Sequence, residues 1–132
     1  MNLKILYSFI VMIIGCSSLL AQTDSTSFKN LVCKEWVLKS YEENGEKFPP
    51  APEQKKDLMI FYKDHKAKSI ENKKIQNGTW QYDQFKKTLT VLDLDTNEKV
   101  IMNVLKISST DLIIEYKDPE GAILKMYLKP KP

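Results

Sequence analysis

The chain has no arginine, a single histidine, four glycines and two cysteines in 132 residues. Without arginine there is no planar guanidinium to clamp a carboxylate or phosphate bidentately. All 20 basic residues other than histidine are lysines, which offer only a mobile point charge. With one imidazole, a Ser-His-Asp triad, a Cys33–His65 dyad or a histidine-bearing metal site would each have to use His65. Its neighbours Asp64 and Lys66 mark it instead as a residue of a solvated turn. Once Cys16 is removed or lipidated, Cys33 is the only thiol left and no internal disulfide can form. Stability must then come from an apolar core, in which a lone, apolar-flanked Cys33 reads as a small hydrophobe.

A surplus of one charge sign is also missing. The formal net charge is +3, and all 17 acidic residues follow residue 21, so removing residues 1–21 takes away only Lys4 and leaves +2. Nucleic acid is therefore not an expected partner, because its binding surfaces need clustered excess base. The densest basic stretch (Lys63, His65, Lys66, Lys68, Lys73 and Lys74) is interrupted by Asp64 and Glu71 and reads as a solvated hairpin with charged edges.

Among the features present, the first 21 residues are the most informative. Lys4 precedes an apolar run over 5–15 broken only by Ser8, and small and polar residues follow to Ala21. This is the layout of a bacterial secretory signal. The run falls short of the roughly 20 residues that span a bilayer. Two cuts compete. One falls after Ala21 and gives a free, exported protein. The other falls before Cys16, where Ile13-Ile14-Gly15-Cys16 has the form of a lipobox, and would leave a lipidated Cys16 as a membrane anchor. Residues 22–29 are polar and predict a flexible leader, so the expected domain covers 30–132.

From Asn30 onward the chain alternates apolar and polar residues in short stretches. Strands are predicted over 34–42, 57–63, 66–72, 78–82, 88–94, 99–108, 112–117 and 122–129. Asn44-Gly45, Asp64-His65, Asp95-Thr96-Asn97, Ser109-Thr110-Asp111 and Asp118-Pro119-Glu120-Gly121 supply turns. Residues 48–52 carry Pro49, Pro50 and Pro52, which cannot donate to a ladder, and predict an extended connector with a helical turn over 53–56. About eight strands joined by hairpin-length turns predict an all-β, antiparallel up-and-down barrel, since closure removes both sheet edges.

Particular residues then suggest a family. The opening stretch Leu31-Val32-Cys33-Lys34-Glu35-Trp36-Val37-Leu38 resembles the first strand of lipocalin-like domains. Asn77-Gly78-Thr79-Trp80-Gln81-Tyr82 is similar to their Gly-Thr-Trp strand. Val104 to Ser108, followed by Asp111 to Ile114, is similar to their closing hairpin. The resemblance runs over 31–129 and implies a small secreted, non-enzymatic barrel that takes an apolar ligand. The chain departs from the family in carrying Cys33 or Lys34 where a glycine is usual near Trp36, and in lacking the family's C-terminal helix.

The alternation assigns an inward face of Trp36, Leu38, Met59, Phe61, Trp80, Tyr82, Leu89, Val91, Leu112, Ile114 and Tyr116, and these are the candidate ligand-binding residues. Trp36 is expected to plug the narrow end with its indole N–H on a carbonyl. Gly78 is expected to admit a close neighbour. Two readings of the interior stay open. In one it holds a small apolar ligand. In the other the side chains fill it, and the protein docks another envelope protein through an exposed apolar face such as Val37, Tyr41, Ile60 and Tyr62. No cofactor, metal or catalytic set is expected. Asp93, Asp95 and Asn97 alternate like the start of a calcium loop, but Glu98 stands where that loop needs glycine.

Overall fold

The computed structural model of the protein describes residues 24–132, so the expected signal segment and Cys16 lie outside the described residues. Nine strands follow one short helix: β1 (Glu35–Glu43), β2 (Glu46–Phe48), β3 (Leu58–Phe61), β4 (Lys66–Glu71), β5 (Lys74–Asp83), β6 (Thr88–Asp93), β7 (Lys99–Ile107), β8 (Leu112–Lys117) and β9 (Ile123–Pro130). Strands β3 to β9 pair antiparallel in sequence order, and β9 returns to pair with β1, which closes the ring. The other edge of β1 is shared. Its late residues pair with β2, Tyr41 opposite Phe48, and its early residues pair with β3, Trp36 opposite Met59. Strands β2 and β3 thus form one stave, interrupted where the prolines remove ladder donors. The molecule is an eight-stave, up-and-down antiparallel barrel, as the hairpin spacing predicts.

Local sequence explains the turns. Asn44 and Gly45 have φ of 50° and 86°, the paired positive values of a type I′ hairpin turn. Asn72 and Lys73 repeat that geometry at 51° and 65° without a glycine, so β5 begins at Lys74 and Asn77-Gly78 lies inside the strand. Pro52–Gln54 forms a single 3-10 turn inside the proline-rich connector. Bulges fall between Leu38 and Ser40 in β1 and between Val104 and Lys106 in β7. The first corrects the simple alternation: beyond it, Ser40 lies opposite Tyr127 and Tyr41 opposite Met126, so by register Tyr41 continues the face of Leu38.

The flexible leader expected over 22–29 is corrected over the described residues. Helix α1 (Ser25–Val32) is capped by Asp24, whose Oδ1 accepts a hydrogen bond from the Ser27 N–H at 2.7 Å. Phe28 and Val32, four apart and so on one helix face, are fully buried. The domain therefore begins before Asn30, because burying these two side chains inside the barrel repays the ordering of a polar segment. Val37, Tyr41, Ile60 and Tyr62 do not form an exposed stripe either. Ile60 is buried, Val37 and Tyr41 are half-buried, and Tyr62 alone is exposed.

Candidate functional site

The two ends of the barrel differ. At one, helix α1 lies across the opening. Phe28 stacks on Tyr82 with ring centroids 3.8 Å apart, and Trp80 packs 6.1 Å from both Phe28 and Phe61. Trp36 and Trp80 are wholly or almost wholly buried, and each satisfies its indole: Trp36 Nε1 donates to the Val32 carbonyl and Trp80 Nε1 to the Tyr62 carbonyl, both at 2.9 Å. Leu89, Leu112 and Ile114 complete a close-packed plug with no exposed surface. The Ser25 N–H donates to Gln84 Oε1 at 3.0 Å, which ties the helix start to the β5–β6 turn. Burial pushes the Tyr82 phenol above its ordinary range, and Asp83 adds to the shift.

The other end is open. A cavity of about 300 Å3 runs in from the β4–β5 and β6–β7 turns. Its walls are Met59, Phe61, Ala67, Val91, Val100, Met102, Tyr116 and Met126, and its mouth carries Glu71, Gln76, Asn77, Asp93 and Glu98, with Lys68 alongside. Gly78 makes room for this wall. A Cβ there would collide with the Leu92 backbone carbonyl on β6, so the close approach expected of this glycine is to backbone. Ser69, opposite Gln76 in the ladder, lines the cavity, and its buried Oγ has no hydrogen-bond partner. The Asp93 carboxylate caps its own turn, accepting from the Asp95 and Thr96 N–H groups at 2.8 and 3.2 Å. It serves as a turn residue, and among the described residues no cluster of His, Cys, Asp or Glu suits a metal ion.

The eleven inward residues read from the sequence therefore divide. Met59, Phe61, Val91 and Tyr116 line the cavity. Trp36, Trp80, Leu89, Leu112 and Ile114 belong to the buried core, with Leu38 and Tyr82 packed against it. Val100, Met102 and Met126 were missed as lining residues although their strands were read. Their period-two positions, carried through the pairing to Val91, Leu89 and Ile114, place them inward. Ser69, Gln76 and the mouth carboxylates were missed because a polar side chain gives no sign of facing inward until register is known.

His65 takes a positive φ of 67° in its turn and is exposed. Its ring stacks on Trp80 at 4.5 Å, with Nδ1 3.1 Å from the Trp80 carbonyl and Nε2 3.4 Å from Lys29 Nζ. Both ring nitrogens are thus engaged without Cys33. Burial pushes the Cys33 thiol up, against a downward pull from Lys29 and Lys63, which disfavours the thiolate a nucleophile needs.

A closed antiparallel barrel with one plugged end and one open, apolar-walled end defines a lipocalin-like fold. Among solved structures, a lipocalin-like protein from Bacteroides uniformis superposes with a TM-score of 0.58 at 15% identity, over 76% of this chain and 98% of that one. No protein-family model matches the chain, and no curated protein matches it.

Proposed function

We propose that this protein is an exported, non-enzymatic carrier or sensor of a small, largely apolar molecule held in the open half of the barrel. The observation that carries this reading is the cavity. At about 300 Å3 it sits at the lower end of the range of small-molecule sites, roughly 300–1,000 Å3, and its walls are mainly apolar, as such sites are, with the polar side chains gathered at the mouth. Methionines suit this wall because their flexible, polarizable chains adapt to different ligand shapes. A fatty acid held by its carboxylate is disfavoured by the absence of arginine.

Export rests on residues 1–21, and the choice between a free protein and one anchored through Cys16 follows from the intact mass of the mature protein. Binding is tested with an environment-sensitive apolar dye. Saturable, one-to-one enhancement that neutral lipophiles displace supports a carrier, and Ser69→Phe, which sets a ring in the cavity, should abolish it while circular dichroism stays unchanged. No saturable binding would leave the filled-core, partner-docking reading in its place.

A further inference from the structure

We propose that the plugged end of the barrel docks on an anionic phospholipid surface, which leaves the open end facing the aqueous phase. The barrel is polarised along its axis. The segments that meet at the plugged end, 24–35, 62–66, 83–87, 106–111 and 131–132, carry eight lysines against five acidic side chains and the Pro132 carboxyl group. All five acidic side chains are engaged locally. Asp64 pairs with Lys66, Asp111 with Lys106 and Glu35 with Lys131. Asp24 caps helix α1, and Asp83 accepts from the Phe85 and Lys86 N–H groups at 2.9 and 3.0 Å. Among the described residues, Lys29, Lys34, Lys63, Lys86 and Lys87 have no carboxylate within 4.0 Å. The turns at the open end, over 43–46, 71–74, 93–99 and 117–123, hold eight acidic side chains against four lysines. An anionic surface therefore attracts one end and repels the other.

The plugged end also presents side chains suited to a membrane interface. Phe85, in the β5–β6 turn, is the most exposed large apolar side chain among the described residues, at 72%, and the exposed Lys86 and Lys87 follow it. In the neighbouring β3–β4 turn the exposed Tyr62 precedes the exposed Lys63. Each turn thus sets an aromatic ring, which rests at headgroup level, beside lysines that reach lipid phosphates. Ile75, Leu94 and Ile123 are exposed near the open end, but they stand among its carboxylates. The chain also enters the fold from the plugged end. The Ser25 N–H is bonded to Gln84, the residue before Phe85. Where Cys16 is the anchor, Asp24 lies eight residues beyond it, and eight extended residues reach at most about 29 Å. Such a tether holds this end close to the bilayer, and one lipid group with a basic patch supplies the two signals that stable anchoring takes.

The test uses the mature protein produced from Gln22, without a lipid, and two kinds of vesicle: phosphatidylcholine alone, and equal parts phosphatidylcholine and phosphatidylglycerol. Co-sedimentation at low salt should be at least about tenfold stronger on the anionic vesicles and should fall as salt is raised. Lys86→Glu combined with Lys87→Glu should weaken it by about tenfold or more, as expected when two lysines near the surface change sign. Lys73→Glu combined with Lys74→Glu, at the open end, should leave it unchanged, and circular dichroism checks that both variants keep the barrel. Phe85→Trp should add emission that shifts to the blue on anionic vesicles and is quenched by brominated lipid, while emission from the buried Trp36 and Trp80 stays as it was. Equal binding to both vesicles, binding to neither, or a larger loss from the open-end pair than from the Lys86 and Lys87 pair would overturn the proposal.

Discussion

Two backbone positions show how single residues set the barrel. At Gly78 the Leu92 carbonyl occupies the space a Cβ would need, and the two strands are fixed there by pairing of Gly78 with Asp93. Gly78→Ala must push β5 and β6 apart or tilt the ladder, and it should cost about 1–3 kcal/mol in urea unfolding, the range for overpacking a close-fitted site. Lys73 presents the opposite case. It holds a positive φ of 65° at the second position of a type I′ turn, where an L side chain is strained. Lys73→Gly should raise stability by about 0.5–1 kcal/mol, the relieved strain exceeding glycine's extra loss of chain entropy. Asn44-Gly45 already holds the glycine that its turn geometry favours.

At the scale of elements, α1 carries the clearest consequence. Phe28 is fully buried and stacked on Tyr82, so Phe28→Ala should destabilise the whole domain by about 3–5 kcal/mol rather than merely loosen one end. The helix also brings a pH dependence. The Ser27 N–H donating to Asp24 holds that carboxyl below its ordinary value of 3.8, and the Lys86 and Phe85 N–H groups do the same for Asp83 at the neighbouring turn. A depressed folded pKa means the folded state binds fewer protons. Its stabilising effect is present above the ordinary carboxylate range and is lost as pH falls through the folded value. The melting temperature should therefore be flat near neutrality and drop below about pH 4, with Asp24→Ala dropping less because one of these groups is gone.

Most elements were legible in the sequence because alternation, turn residues and prolines each have a local cause. The strands around Trp36, Trp80 and Leu112 show it. Helix α1 escaped because its apolar face is only Phe28 and Val32 in a polar segment, although Asp24 four residues before Phe28 is a recognisable cap. Strand β2 escaped because three residues next to prolines carry too little pattern, and the bulge after Leu38 escaped because an extra residue leaves no mark in composition.

For the whole molecule, the division into a plugged half and an open half is the feature on which the proposed function rests. Alternation along the strands puts all the inward residues in one set, and only closure of the ring separates those under α1 from those facing the cavity. Tryptophan fluorescence is accordingly a poor reporter of binding, because Trp36 and Trp80 both lie in the buried core and neither lines the cavity. The most direct measurement is amide chemical-shift mapping of the isotope-labelled mature protein during titration with decanol. Saturable shifts should gather at Met59, Ser69, Val91, Val100, Tyr116 and Met126, with Phe28, Trp36 and Leu112 unmoved. Shifts centred beneath the helix, or no saturable shifts at any concentration, would contradict an open ligand-holding half.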